Sequence, residues 1–331
     1  MREVAAAAGV SIKTVSRVVN QEPGVTAAVR DRVLAAVDRL DYRHNLAASN
    51  LRRLGAPTGV VGVLVQDVAN SYSATLIRAL EDALRPRGVM LLCASMDETA
   101  VRERRTVENL IARRVDGLVI VPATANQDYL EPEVRAGLPV IIVDRAPHGI
   151  ETDSVTVDNA GGAHLAVRHL LAQGHRRIAV ISDNPSIRTA AERICGARRA
   201  FAEFDAQLPA DLLRTGVRED EQAAAVVHEL LAAPRPPTAL FTARNVLTAG
   251  AMQALTEAGM RERVALVGFD DFPLAGLLGL TVVRQDVWRV GQLVGERLIA
   301  RLTGDDSPPQ RLVLDPVLVA RGSGEVSPPR G

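Results

Sequence analysis

The chain has only two cysteines, Cys93 in an apolar run and Cys195 in a helical stretch. No CxxC or Cys/His spacing links them, which argues against a zinc module or a disulfide framework and leaves two small core residues in a reducing compartment. Net charge is absent as well, with 39 basic side chains against 39 acidic ones. No apolar run approaches the length of a bilayer span, and no charged-then-apolar leader precedes the first helical stretch, so a soluble, cytoplasmic protein without a membrane role is expected. Catalytic signatures are missing too. There is no GxGxxG opening a helix, no GxxxxGK[ST], no GxSxG, and the six histidines stand in no metal-ligand spacing. A dehydrogenase, kinase or hydrolase has nothing to stand on. No catalytic residue, metal or cofactor is expected.

What is present begins with an uneven charge distribution. Residues 1–56 hold nine Lys/Arg against five Asp/Glu, and the remainder is acidic by the same margin. A basic head on a mildly acidic body suits a nucleic-acid partner for the head alone. In that head Ala5 to Ala8 favour helix, Gly9 permits a sharp turn, and Ser11 is a good N-cap for a second helix to about Val19. Val10, Val15, Val18 and Val19 give this helix an apolar side, while Ile12, Lys13, Ser16 and Arg17 fall on the other. Thr26 to Leu40 reads as a third helix, with Val29, Val33, Val37 and Leu40 closing a small core.

Helix, glycine and helix alone predict DNA binding weakly, but the residues themselves are specific. Ala8-Gly9-Val10-Ser11 followed by Thr14-Val15-Ser16-Arg17-Val18-Val19-Asn20 resembles the helix-turn-helix signature of the lactose/galactose repressor family of bacterial transcription regulators. The resemblance implies that Ile12, Lys13 and Arg17 read bases, and that Ser11, Thr14, Ser16 and Asn20 contact phosphates or steady the turn. Members of that family carry a short lead-in before the position of Met1, so helix 1 either begins bare here or has residues upstream. Asn45 can cap a short helix, Leu46 to Leu51, too short to be stable alone. In such repressors this hinge helix forms on the operator. Leu51 matches the leucine that wedges into the minor groove and Ala48 the small residue at the helix pair, although His44 and Ser49 stand where Pro and Arg are common.

From Thr58 onward strands alternate with helices, which argues for parallel sheets. Strands are expected at 60–65, 89–93, 118–121 and 140–143, then at 178–181, 212–215, 239–241 and 264–267. Helices are expected near 72–84, 101–113, 129–136, 190–204, 221–232, 246–258 and 287–302, with a last strand over 311–319. The fold class is therefore a small all-α helix-turn-helix head plus an α/β core of two doubly wound parallel-sheet domains. Its expected division is 1–43 for the head, 44–57 for hinge and linker, and 58–320 for the core. Within the core the first subdomain takes about 58–156 plus 286–314, and the second about 157–285 plus 315–320. The Gly-, Pro- and Ser-rich residues 321–331 are expected to be a disordered tail.

Ligands in open parallel sheets bind beyond the carboxyl ends of the strands, so two such domains facing each other form a cleft. Polar residues collect there: Asp67, Asp97, Asp144-Arg145, Ser182-Asp183, Arg244-Asn245 and Asp270-Asp271. Helix capping is the ordinary explanation for any one of them. The family resemblance extends over this body, through Thr156-Val157-Asp158-Asn159, Gly174-His175-Arg176-Arg177, Arg193-Ile194-Cys195-Gly196 and Val267-Gly268-Phe269-Asp270-Asp271. These look like the effector-binding core of the repressors, which is similar to periplasmic sugar-binding proteins. The resemblance implies an effector site of Tyr72, Ser73, Asp144, Arg193, Arg244, Asp270 and Gln285. Arg244 stands where many relatives have Asn. It either favours a carboxylate or phosphate on the effector, beside Arg193, or folds back onto Asp270 or Asp271.

The expected protein is thus a ligand-responsive regulator, a repressor by the family default. It would bind double-stranded, near-palindromic operator DNA as a homodimer, since no tetramerising heptad is seen, with a sugar or an anionic sugar derivative controlling DNA affinity. An activator of the same family, or a solute-binding protein of the periplasmic type, is the alternative.

Overall fold

The computed structural model describes residues 1–19, 22–42 and 57–329. Contacts divide the chain into two compact units, Met1–Thr58 and Gly59–Gly331. In the first, α1 (Arg2–Ala8) starts without a side-chain cap and ends at Gly9, whose φ of 64° is the left-handed conformation that glycine adopts without strain. That turn lets the Val10 N–H return to the Ala5 carbonyl at 3.0 Å. Ser11 then caps α2 (Ile12–Val19), its Oγ accepting from the Thr14 amide at 3.1 Å. With α3 (Ala27–Arg39), these helices bury Val4, Val15, Val18 and Val33 in a small core. Val10, Val19, Val29 and Val37 pack at its edge, half-buried, and Leu40 is exposed.

The second unit is built on two six-stranded sheets. In the first lobe β1 (Val60–Val65), β2 (Met90–Ser95), β3 (Gly117–Ile120), β4 (Val140–Asp144) and β5 (Asp153–Val157) are parallel, interleaved with α4 (Ser71–Leu84), α5 (Ala100–Ala112) and the short α6 (Glu131–Arg135). Strand β5 enters the first sheet and hands the chain to α7 (Asn159–Ala172), which packs in the second lobe. There β6 (Ile178–Ile181), α8 (Arg188–Glu203), β7 (Leu213–Arg214), α9 (Asp220–Leu231), β8 (Ala239–Thr242), α10 (Asn245–Glu257), β9 (Ala265–Phe269) and β10 (Thr281–Arg284) repeat the alternation. The chain returns through α11 (Val287–Leu302), packed on α4, to a parallel β11 (Arg311–Leu314) in the first sheet. It crosses once more to an antiparallel β12 (Val317–Val319) in the second.

Strand orders are β11-β5-β4-β3-β1-β2 and β12-β10-β9-β8-β6-β7. In both the order reverses at the first strand of the series, between β1 and β3 and between β6 and β8, which opens a crevice at the strands' carboxyl ends. Near-continuous Val/Ile/Leu runs in β1, β4 and β6 follow from helices covering both faces. Helices α7 and α8 meet closely at Gly196, where a Cβ would stand 2.0 Å from the Ala160 carbonyl oxygen.

Three differences from the sequence expectations have physical causes. The strand expected over 311–319 is two, divided at Asp315-Pro316 and paired in different sheets. Strands β5 and β10 and helix α7 were not among the elements expected from patterning. And the segment 321–329, expected to be disordered from its composition, is held against the second lobe. Arg321 forks onto Asp271 at 2.6 and 2.8 Å, the Ser323 carbonyl accepts from the Leu266 amide at 2.8 Å, Glu325 meets His169 at 2.6 Å, and the Val326 carbonyl accepts from the buried His175 Nε2 at 2.8 Å. Specific polar pairing outweighs composition there.

Candidate functional site

The exposed side of α2 carries Ser11, Ile12, Lys13 and Arg17 in the open, with Thr14 and Ser16 half-buried beside them. Ser11 Oγ lies 2.9 Å from Thr14 Oγ1, so these two steady the helix start. Asn20, Asn45, Ala48 and Leu51, the remaining DNA-contacting expectations, lie outside the described residues.

In the second unit all seven expected effector residues line one cleft between the lobes, of about 630 Å³ including its open mouth. Six are set there by a strand end or helix start, and Arg193 by the second turn of α8. Asp144 closes β4, Asp270 follows β9, Gln285 follows β10, Arg244 precedes α10, and Tyr72 and Ser73 lie in the first turn of α4. Asp144 and Asp270 hold corresponding places in the two lobes and share a left-handed backbone, φ 70° and 73°. For a residue other than glycine that is a strained conformation, of a kind that clusters at binding sites.

Arg193 is locked from several directions. Its Nε donates to Asn159 Oδ1 at 2.8 Å and its Nη1 to the Ala243 carbonyl at 2.6 Å, its guanidinium carbon sits 3.8 Å from the Phe269 ring centre, and Asp270 Oδ2 lies 3.5 Å away. Asp270 in turn accepts from Gln285 Nε2. Burial raises the Asp144 pKa, only partly offset by Arg145 and Arg193. Burial, reinforced by Asp144 and Asp270, drives the Tyr72 phenol far above its ordinary value, so Tyr72 stays a neutral hydroxyl. That hydroxyl is buried with no hydrogen-bond partner among the described residues, and so are Ser182 Oγ, Arg145 Nε and Gln285 Oε1, all four on the cleft wall.

Arg244 folds onto neither Asp270 nor Asp271. Its Nη1 donates to Asp183 Oδ2 at 2.7 Å, and Asp271 is taken by Arg321. Five charged or amide residues that organise the wall lie outside the expected effector contacts. Arg145, Asp183 and Asn245 were visible only as polar residues at strand ends. Glu98, which grips Arg145 at 2.5 and 2.8 Å, and Asn70, the N-cap of α4, gave no signal beyond helix capping. Asp67, Asp97 and Asp271 lie off the cleft wall, bonded to the Ala69 amide, Arg102 and Arg321.

A helix-turn-helix unit carried by the same chain as a two-lobed, binding-protein-like core defines a DNA-binding regulator, not an enzyme. The comparisons with known proteins specify it further. Residues 1–45 match the model of bacterial regulatory proteins of the lacI family, and residues 58–312 that of periplasmic binding proteins and the sugar binding domain of the LacI family. The chain belongs to the LacI family. It is 31% identical over 328 residues to the ribose operon repressor of Escherichia coli K12, covering 98% of this chain and 99% of the relative. To the HTH-type transcriptional regulator PtxS of Pseudomonas aeruginosa it is 33% identical over 350 residues, covering 100% and 96%. Among solved structures the lac repressor dimer bound to operator and the anti-inducer ONPF matches with a TM-score of 0.83 at 28% identity, covering 97% of each chain. No helix among the described residues is long and apolar enough to cross a membrane.

Proposed function

We propose that this protein is a cytoplasmic homodimeric repressor that holds a near-palindromic operator until a neutral sugar occupies the cleft. The observation that carries the ligand class is the character of the wall. Tyr72 Oη, Ser182 Oγ, Arg145 Nε and Gln285 Oε1 are buried without hydrogen-bond partners among the described residues, beside the carboxylates of Asp144 and Asp270. Donors and acceptors alternate around one space, which suits a molecule whose hydroxyls both give and take hydrogen bonds. Three guanidinium groups on the wall face four carboxylates, so the cleft has no positive charge to spare for an acid. This neutral-ligand reading takes the place of an effector gripped by Arg193 and Arg244 together. The relatives named for the ribose operon support a sugar.

In the proposed roles Asp144 and Asp270 accept from ligand hydroxyls, Arg193 and Tyr72 donate, and Ser73, Arg244 and Gln285 complete the wall. On the DNA side Ile12, Lys13 and Arg17 read bases. Ser11, Thr14, Ser16 and Asn20 hold phosphates or the turn, and Asn45, Ala48 and Leu51 contact the operator. Effector changes the angle between the lobes, and the segment 44–57 passes that change to the head. Gel shift on the region upstream of its own operon tests this. Neutral sugars should release the DNA, and operator binding that survives deletion of residues 1–56 would refute the role of the head.

A further inference from the structure

Asp183 and Arg244 face each other because of sheet register. Strands β6 and β8 are parallel neighbours in which Ile181 pairs with Thr242, so each charged residue stands two positions beyond a paired one, at the same carboxyl edge. Asp183 is 3% exposed, and its Oδ2 takes the Arg244 Nη1 at 2.7 Å, with Arg218 Nε at 3.6 Å on the same oxygen. Its Oδ1 accepts the Asn184 amide at 2.6 Å. Arg244 keeps 16% of its side chain accessible, on the cleft wall. The other wall arginines are matched in the same way, Arg145 by Glu98 and Arg193 by Asp270.

We propose that Asp183 sets the charge selectivity of the cleft. It supplies from within the chain the carboxylate that Arg244 would otherwise seek on a ligand, so neutral polyols enter and sugar acids are turned away. A guanidinium already held by a buried carboxylate offers an incoming anion little net attraction, and the anion also meets the repulsion of Asp183 itself. Removing Asp183 frees the charge of Arg244, whereas removing Arg244 leaves Asp183 paired with Arg218 alone.

This inference rests on the reading of the cleft as a sugar site, and its test separates the two. Calorimetry on the full chain would use D-ribose, D-xylose and D-glucose, the matching aldonates, and D-glucosamine. The wild type should bind a neutral aldose and take its aldonate about a hundredfold more weakly. Asp183→Asn should gain at least about tenfold for the aldonate, and the double variant Asp183→Asn/Arg244→Gln should lose that gain. Arg244→Gln, which leaves Asp183 with Arg218 as its remaining cationic neighbour at 3.6 Å, should gain about threefold for D-glucosamine and none for the aldonate, so the proposal stays testable if Asp183→Asn folds poorly. Asp183→Asn or Arg244→Gln, folded by circular dichroism but with the wild-type ratio of charged to neutral ligands, would overturn the role of Asp183. Failure of the wild type to bind any of these sugars would overturn the sugar-site reading beneath it.

Discussion

Asn70 and Asn245 exchange two side-chain amide hydrogen bonds, 3.1 and 3.2 Å long, across the cleft from opposite lobes. Asn245 also donates to Ser71 Oγ at 3.0 Å, and Asn70 caps α4 by accepting from the Tyr72 amide at 2.9 Å. The two helices that carry ligand-facing residues are therefore tied at their starts. If the closed arrangement is the one that holds ligand, loss of the tie lowers the competent population and the apparent affinity with it. Asn70→Ser keeps an oxygen for the α4 cap but is too short to reach Asn245. Its effector affinity in calorimetry should fall about tenfold, the equivalent of about 1.4 kcal/mol. Unchanged affinity would show that the tie is incidental.

Asp144 gives a prediction with a definite pH sign. Burial raises its pKa above the unfolded value near 3.8, so folding favours the protonated form more than the unfolded chain does. Stability linked to that proton is complete below the unfolded value and is lost as pH rises through the folded one. Asp144→Asn, an isostere that tolerates the left-handed backbone, should melt higher than the wild type at neutral pH, at about 2–4 °C per kcal/mol gained. The advantage should vanish below about pH 3.8. Effector affinity should drop at least about tenfold, because one of the two oxygens that accept from ligand hydroxyls becomes an amide donor. A melting curve that is lower at pH 7 would contradict the assignment.

How far the sequence alone leads depends on how local each feature is. The runs Val60–Val65, Val140–Val143 and Ile178–Ile181 are continuous and apolar because both sheet faces are covered, and they read as strands at sight. Strand β5 begins Asp153-Ser154 and β10 ends at Arg284, each at a lobe crossing, so neither shows that pattern. Helix α7 hides behind Gly161-Gly162. In the cleft, Tyr72, Asp144, Arg193 and Asp270 came from motif resemblance. The Asn70–Asn245 tie joins residues 175 positions apart, and Asp183 meets Arg244 across 61, distances over which no periodicity speaks.

The docked end of the chain can be loosened on its own. Arg321 beside Asp271 holds that carboxyl below its ordinary value, so the pair's contribution is present at neutral pH and is lost as pH falls through the folded value. Arg321→Ala should cost about 1 kcal/mol, modest because both side chains keep some solvent contact. It should also flatten the acid side of the stability curve and open the residues after Val319 to limited proteolysis. An unchanged digestion pattern would mean that Ser323, Glu325 and Val326 suffice.

On the head, Lys13 and Arg17 are exposed and outside the core formed by Val4, Val15 and Val33. Alanine at either should leave thermal stability unaltered and weaken operator binding by about 1–3 kcal/mol. Relaxed sequence preference would mark a base contact, and a shallower salt dependence a phosphate contact. Full affinity in both variants would remove α2 from the DNA interface.

The central claim, a DNA-binding repressor released by a neutral sugar, is tested most directly by fluorescence anisotropy of the full chain on its own upstream operator during titration with neutral aldoses and their aldonates. The account predicts tight, salt-sensitive binding that at least one neutral aldose abolishes while its aldonate leaves it intact. Release by the aldonate alone, or operator binding indifferent to every sugar, would contradict it.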